Sequence, residues 1–280
     1  MNESPTFEVV CRTDAPEQSA VATVIVSLYN YQNHIAECLE SVRTQTLADL
    51  DLVIVDDCSR DASLDAVREW LGRRGSRFAQ YLLLHHKTNG GLARARNTAF
   101  AHSRTEYVFV LDADNLLYPR CVEALVAAMH NCTASFAYSI HEKFGDVHGI
   151  SNFEPWTPAA LRTANMVDAM VLLRKSVWEV VGGYSTNMPV MGWEDFDLWF
   201  KVARASGWGI LVPEILAKYR SHPGSMLNCV TNPKADRLWS HLRASYPEFF
   251  PKNGLASRNL LSPEKIGRDA QAIHIHMEGD

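Results

Sequence analysis

The feature that most constrains the fold is a fourfold alternation of apolar runs and helical stripes between residues 21 and 130. Residues 21–28 form a β-branched run of the kind that makes a buried strand. Three shorter apolar runs follow, and a segment with helical spacing comes after each of the four. Repeated strand–helix units predict a parallel sheet covered on both faces, which is an α/β fold. The predicted strands are 21–28, 52–55, 81–84 and 107–111, and the predicted helices begin near Asn33, Leu64, Gly91 and Arg120.

The second half of the chain has a different character. After residue 131 the apolar runs are shorter, and the loops are rich in Trp, Pro and Gly. Candidate strands are 171–173 and 210–212, and 193–204 has helical spacing. We therefore divide the chain into a loose polar arm (1–20), two halves (21–130 and 131–230), and a C-terminal helical segment with a tail (231–280) that is polar from about Gly254.

Composition excludes several classes of protein. The chain has 280 residues, of which 47% are hydrophobic, so it can bury a substantial core. Its net charge of −5 argues against a nucleic-acid partner. Six cysteines without a CxxC pair are typical of reduced thiols. With neither a signal peptide nor an apolar run of spanning length, we expect a cytoplasmic protein, or one peripheral to the inner face of a membrane.

The strongest local signal is the pair of acids in Asp112-Ala113-Asp114, where an apolar strand should end. Like charges this close raise each other's pKa, so a surface turn would not favour them. A divalent cation or a shared proton would make the pair favourable, and side chains two apart on a strand point the same way. The alternative is one capping and one turn aspartate.

A second pair of acids, Asp56 and Asp57, ends another predicted strand. An acid there can accept hydrogen bonds from a nucleobase or from ribose hydroxyls. It can equally cap the helix that begins near Ala62. The sequence favours neither the ligand-binding role nor the helix-capping role.

A glycine turn at residues 89–91 leads into a helix that carries Arg94 and Arg96. A helix N-terminus together with guanidinium groups suits a diphosphate. The turn has neither the GxGxxG nor the GxxxxGK[ST] fingerprint, which excludes those two nucleotide-binding motifs. An exposed basic helix face remains the alternative.

Two further stretches hold candidate chemistry. Residues 191–197 place Glu194, Asp195 and Asp197 at a predicted helix start, where acids also pair favourably with the helix dipole. Beside them, Trp193 could form an aromatic surface for a sugar ring. His222 precedes a proline turn, and a lone histidine of this kind is more often structural than a ligand.

Taken in order, these motifs resemble the family 2 inverting glycosyltransferases. They are an S-x-Y-N strand end, an I-V-D-D-x-S turn, N-x-G-x-x-x-A-R-N, L-D-x-D, G-G-Y, E-D and Y-R-x-H, and they span about residues 22–226. The resemblance implies a GT-A fold. In that fold a Rossmann-like nucleotide-binding half (21–130) and an acceptor-binding half (131–230) form one continuous domain.

The resemblance also implies a role for each matching residue. Asp195 would be the catalytic base, with Glu194 beside it, and Gly192 and Trp193 would contact the acceptor. Asp114, Asp112 and His222 would hold Mn²⁺ or Mg²⁺. The nucleotide would be bound by Ser27, Tyr29, Asp57, Arg94, Arg96 and Asp112.

The implied activity is metal-dependent transfer of a sugar, from a UDP-sugar, to an acceptor hydroxyl. The acceptor would be a carbohydrate, a lipid-linked molecule or another hydroxyl compound, in polysaccharide, glycolipid or glycoconjugate synthesis. Three alternatives stay open: an inactive nucleotide-sugar-binding protein, a DxD phosphatase and a receiver domain. The last two fit less well, because Asn115-Leu116 follows the acids and no lysine partner is evident.

Overall fold

The computed structural model describes residues 6–13 and 20–251, so the tail predicted from Gly254 lies outside the described residues. Within them, ten strands form one sheet. The strands are β1 (Phe7–Arg12), β2 (Ala22–Leu28), β3 (Leu50–Asp56), β4 (Gln80–His86), β5 (Tyr107–Asp112), β6 (Leu116–Leu117), β7 (Phe136–Gly145), β8 (Gly149–Ser151), β9 (Val171–Arg174) and β10 (Gly209–Ser221). The α-helices are α1 (Ile35–Arg43), α2 (Ser63–Arg74), α3 (Leu92–His102), α4 (Cys121–His130), α5 (Lys175–Val180), α6 (Glu194–Arg204) and α7 (Ala235–Ser245).

The sheet order confirms the prediction of a mainly parallel α/β fold. The order is β1-β4-β3-β2-β5-β9-β7-β10-β6, and β8 pairs with β7. The four strands predicted in the first half are neighbours and run parallel, with α1, α2 and α3 as crossovers. β9 is antiparallel to both β5 and β7, and it therefore joins the two halves into one sheet.

Two strand predictions were wrong. The expected loose arm instead contains β1, which pairs antiparallel with β4 at the edge of the sheet. Its residues are mostly exposed, so no burial pattern marks it in the sequence. β10 is 13 residues long, not the three predicted, and its register with β7 shifts between Val212 and Ile215. That irregularity accommodates Pro213, which has no N–H for the sheet and hides the continuous strand from sequence analysis.

Alternating side chains of the central strands fill two cores. In β2, Val24 and Val26 pack on the face covered by α1, α2 and α4, whereas Ile25 packs on the face covered by α3 and α6. All three side chains are fully buried, as a strand covered on both faces requires.

The polar residues predicted for the site come together because the parallel strands end at the same edge. Ser27 of β2 is in register with Val55 of β3 and with Asp112 of β5. On the other side, Tyr219 near the end of β10 is in register with Lys143 of β7. Across residues 6–13 and 20–251, no helix is long and apolar enough to cross a membrane.

Candidate active site

A cavity of about 910 Å³ opens at the carboxyl-terminal edge of the parallel strands, where α/β folds bind ligands. The loops after β2 and β5, the start of α3, the loop before β9, the start of α6 and the end of β10 all contribute to it. Most of the predicted site residues line it: Ser27, Tyr29, Asp57, Arg96, Asp112, Asp114, Gly192, Trp193, Glu194, Asp195 and His222. Arg94 is not among the described lining residues, and its nucleotide-binding role stays a prediction.

The difference between Arg94 and Arg96 follows from helix geometry. Residues two apart in a helix are rotated by about 200°, so the two side chains point to opposite sides. Arg96 faces inward and is 2% exposed, and its guanidinium donates to Asp112 Oδ1 at 2.7 Å. It also lies over the ring of Tyr184, 5.4 Å from the centroid. Burial lowers the pKa of Arg96, but the charges of Asp112, Tyr184 and Asp195 and the hydrogen bond to Asp112 together leave the pKa raised.

Asp57 organises the glycine turn. Its Oδ1 accepts from the Gly90 N–H at 2.8 Å, and its Oδ2 accepts from the Gly91 N–H at 2.7 Å. The buried ring of His86 adds a contact between Nδ1 and Asp57 Oδ1 at 2.7 Å. Gly91 has φ +84°, which a side chain would disfavour. Asp57 therefore fixes the start of α3, and its predicted nucleotide contact has to use the remaining lone-pair capacity of this carboxylate.

The other strand ends bring Ser27 and Tyr29 to the cavity. The Ser27 hydroxyl is buried and has no hydrogen-bond partner among the described residues. Tyr29 is 38% exposed and lines the cavity just beyond β2. A ligand could hydrogen-bond to the Ser27 hydroxyl and stack on the Tyr29 ring.

Asp114 and His222, which are far apart in sequence, meet across the cavity. His222 Nε2 lies 3.2 Å from Asp114 Oδ2. Burial, followed by the charge of Asp112, raises the pKa of the Asp114 carboxyl. Burial also raises the pKa of Tyr31, whose hydroxyl hydrogen-bonds to Asp114. Tyr31 was not predicted as a site residue, because it matches none of the motifs.

The candidate metal ligands form a partial set. Asp112 Oδ1 accepts a hydrogen bond from Arg96, whereas Asp114 and His222 contact each other. No group of three or more His, Cys, Asp or Glu side chains that could hold a metal occurs in the described part of the chain. A carboxylate and an imidazole still suit Mn²⁺ or Mg²⁺ when substrate phosphates supply further oxygens.

Asp195 lies near the start of α6 and is 9% exposed. Its Oδ2 accepts a hydrogen bond from Asn165 Nδ2 at 2.8 Å. Burial raises the pKa of Asp195, against the opposing charge of Arg96. Asn165 is another residue that sequence analysis missed, since it lies in a loop without a motif.

The residues around Asp195 have distinct tasks. Glu194 Oε2 accepts from the Gly192 N–H at 2.8 Å, so this carboxylate orders the loop before α6. Burial raises the pKa of Glu194 as well. Trp193 lines the cavity and packs edge-to-face on Phe196 and Trp239, with centroids 5.4 and 5.3 Å away. This packing fixes the indole next to the carboxylate pair.

Comparison with known proteins agrees with this geometry. The sequence matches the family described as "Glycosyl transferase family 2" over residues 23–180. The EpsE protein of Bacillus subtilis (strain 168) is 26% identical over 204 residues, which are 71% of this chain and 72% of EpsE. Three further curated relatives match over only 18%, 30% and 19% of their own lengths.

Solved structures of glycosyltransferases share the fold. TarS from S. aureus in complex with UDP-GlcNAc superimposes with a TM-score of 0.67, covering 84% of this chain and 67% of TarS. The mannosyltransferase PcManGT from Pyrobaculum calidifontis, in complex with GDP-Man and Mn²⁺, gives 0.60 over 95% of this chain and 83% of its own. Both are 18% identical, so they establish the GT-A fold alone. The family match extends over more than half of the 280 residues, and the chain therefore belongs to glycosyl transferase family 2.

Proposed function

We propose that this glycosyltransferase transfers a sugar from a UDP-sugar to an acceptor hydroxyl, with inversion at the anomeric carbon and dependence on a divalent cation. The observation that carries the proposal is the meeting of Asp114 with His222 in the same cavity as Asp195. A metal-binding pair and a base on one cavity are the two elements that a single displacement on a nucleotide-sugar needs.

Asp114 and His222 would hold Mn²⁺ or Mg²⁺, and the donor diphosphate would complete the coordination. When bound, the cation neutralises charge on the leaving diphosphate. Arg96 and Asp112 form an ion pair at 2.7 Å. Asp112 would therefore contact the nucleotide mainly through its other carboxylate oxygen. Ser27, Tyr29 and Asp57 would contact the base and the ribose, as the resemblance to the family implies.

Asp195 would act as the base. Asn165 donates to its Oδ2 and the Phe196 N–H also donates to this carboxylate, and a remaining lone pair would receive the proton of the acceptor hydroxyl. As that proton moves, the acceptor oxygen bonds to the anomeric carbon, and the carbon–oxygen bond to the diphosphate breaks with its electron pair on the diphosphate. Attack opposite the leaving group inverts the carbon. The raised pKa of Asp195 makes it a better base than an exposed aspartate.

We assign residues 21–130 to the donor and 131–230 to the acceptor and catalysis. The loop at Gly192 and Trp193 offers a hydrogen-bonded backbone and an aromatic face next to Asp195. This surface suits the ring of an acceptor sugar. We propose an acceptor hydroxyl on a polysaccharide, a glycolipid or another glycoconjugate.

A nucleotide screen tests the proposal. Melting temperatures are measured with UDP, GDP, dTDP and CDP, each with MnCl₂ or with EDTA. A ligand at 100 times its Kd stabilises a protein by about 2.7 kcal/mol, a shift that is easy to detect. We expect UDP with Mn²⁺ to give the largest shift and EDTA to remove most of it.

Two results would contradict the proposal. An equal shift in melting temperature with and without Mn²⁺ would show that nucleotide binding does not need the metal. A larger shift with another nucleotide would show that the donor is not a UDP-sugar. Slow hydrolysis of the matching nucleotide-sugar, with the anomeric configuration of the released sugar read by NMR, then tests inversion.

A further inference from the structure

Asp168 is a cavity carboxylate for which neither the family motifs nor the proposed mechanism has a use. It lies in the loop before β9 and lines the cavity. Its N–H donates to Asn152 Oδ1 at 2.8 Å, and its own Oδ1 accepts from the Met170 N–H at 2.9 Å. Oδ2 has no hydrogen-bond partner among the described residues. The side chain is thus fixed through one oxygen while the other can meet a ligand.

The support beneath Asp168 is rigid. Asn152 holds φ +62° and donates through Nδ2 to the carbonyl of Ser139 in β7, at 2.8 Å. β9 begins three residues after Asp168 and is paired on both sides, with β5 and β7. A carboxylate held in this way loses little conformational entropy when it binds.

The charges that act on Asp168 locate it within the site. Burial raises its pKa to about 7, and the carboxylates of Asp112 and, to a lesser extent, Asp195 add to the rise, whereas Arg96 opposes it. After burial, the charge of Asp168 is the largest cause of the raised pKa of Tyr219 in β10. Asp168 is therefore close enough to both Asp112, on the donor side of the cavity, and Asp195, the proposed base, for their charges to act on it.

Other roles for Asp168 fit less well. His141 Nδ1 is 4.0 Å from Asp168 Oδ1, but burial lowers the pKa of His141 to about 3, so this histidine is neutral and provides no counter-charge. Asp168 belongs to no group of three metal-ligating side chains among the described residues. Its neighbours on the cavity wall, Lys143, Ser151 and Asn152, are polar and suit a hydroxylated ligand.

Building on the proposed function, we propose that Asp168 Oδ2 accepts a hydrogen bond from a hydroxyl of the transferred sugar and makes the enzyme select donors by that sugar. The sugar is the part of the donor that must lie between the diphosphate, at Asp114, and the base, at Asp195. Asp168 lines the same cavity, and the charges of Asp112 and Asp195 both act on it.

The chemistry explains why selection would follow. Sugar hydroxyls are donors, and a fixed carboxylate oxygen makes a charge-assisted hydrogen bond with them. A donor without that hydroxyl would leave Oδ2 facing the sugar without its hydrogen bond, and sites built to bind a substrate hydroxyl discriminate against analogues that lack it. The nucleotide end of the donor is assigned to other residues, so its affinity should not depend on Asp168.

The test separates sugar affinity from nucleotide affinity. Calorimetry with MnCl₂ measures Kd for UDP-glucose, UDP-galactose, UDP-N-acetylglucosamine and GDP-mannose, and for free UDP and GDP. The donor that binds most tightly and its free nucleotide are then titrated into Asp168→Asn.

The control is Asp146→Asn, the same change at an exposed position outside the cavity lining. In Asp168→Asn we expect the affinity for the donor relative to its free nucleotide to fall about tenfold, with free-nucleotide affinity within about threefold of wild type. Asp146→Asn should change neither.

A second measurement uses the wild-type protein alone and does not depend on the variant folding. Deoxy analogues of the same donor, each lacking one sugar hydroxyl, should bind alike except for one that binds about tenfold more weakly. Equal binding of all analogues would overturn the assignment. Three results with Asp168→Asn would also overturn it. These are an unchanged ratio of donor affinity to nucleotide affinity, an equal fall in the affinities for donor and nucleotide, and a defect that affects only the reaction with the acceptor. Failure of the wild type to bind any nucleotide would instead overturn the proposed function and, with it, this assignment.

Discussion

Gly192 lies where a side chain cannot fit, so Gly192→Ala should destabilise the protein and disturb the base beside it. Its φ is +115°, and a Cβ atom would lie 1.8 Å from Thr231 Oγ1. Thr231 cannot simply turn away, because it is fully buried and its hydroxyl donates to the Met191 carbonyl at 2.9 Å. The clash would therefore push the loop before α6 away from the segment at Thr231.

Two costs add in this variant. A side chain at this φ costs about 1–3 kcal/mol in backbone strain. Displacing Thr231 loses a hydrogen bond with a net value of about 0.5–1.5 kcal/mol. We expect the free energy of unfolding to fall by roughly 2–4 kcal/mol in total. The control is Gly72→Ala in α2, where no atom lies within 4 Å of the added Cβ, and it should stabilise by about 0.5–1 kcal/mol.

Urea denaturation of the single variants and of Gly192→Ala/Thr231→Ala separates the two costs. Thr231→Ala removes the clashing oxygen, so the double variant should recover the steric part and keep the backbone strain. Donor hydrolysis by Gly192→Ala should fall as well, because Gly192 donates its N–H to Glu194. A stability within 0.5 kcal/mol of wild type, or no recovery in the double variant, would refute this reasoning.

Three further predictions concern the titrating and metal-binding groups. Asp195→Asn should keep nucleotide affinity within about threefold but lose transfer by about 10²-fold or more, and near wild-type turnover would place the base elsewhere. His222→Ala and Asp114→Asn should each weaken Mn²⁺ binding by about tenfold or more, since even residues that only support a ligand cost about 10–100-fold. Calorimetry with Mn²⁺ measures this, and a large drop in the apo melting temperature of His222→Ala would make that histidine structural. Asp168 has a folded pKa of about 7 against an ordinary 3.8, so the folded state binds more protons between these values and wild-type stability falls as pH rises through them. Asp168→Asn should therefore be more stable than wild type at pH 8 and similar at pH 4 in urea denaturation, and an equal difference at both pH values would contradict the raised pKa.

Much of the fold follows from local patterns. The strands at 21–28, 52–55, 81–84 and 107–111 were predicted within a few residues of β2, β3, β4 and β5, because both faces of these strands are buried and their apolar runs are continuous. β1 escaped prediction because an exposed edge strand needs a partner, not an apolar run. The length of β10 escaped because its irregularity at Pro213 interrupts the pattern while β7 holds the rest of the strand in register.

The candidate site divides in the same way. Residues at the ends of parallel strands could be predicted, since the topology alone brings such ends to one edge. Asn165 and Asp168 could not, because they lie in a loop whose sequence has no period and whose position depends on Asn152 and β9. They come to the site through tertiary contacts, and no spacing in the sequence encodes those contacts.

The two acids after β5 illustrate what spacing can and cannot determine. Their separation predicts that both carboxylates reach one edge, and the structure has both on the cavity wall. Residues outside this motif determine which acid has oxygens available for a cation. Arg96, 16 residues before Asp112, hydrogen-bonds to one oxygen of Asp112. His222, 108 residues after Asp114, contacts Asp114. Each acid thus acquires its own partner before any ligand binds, which relieves the repulsion that the bare sequence poses. Because the guanidinium always carries its charge and the imidazole need not, the Asp112 end is permanently compensated. Asp114 is the acid whose burial remains uncompensated when His222 is neutral, and it is therefore the one that gains most from a cation.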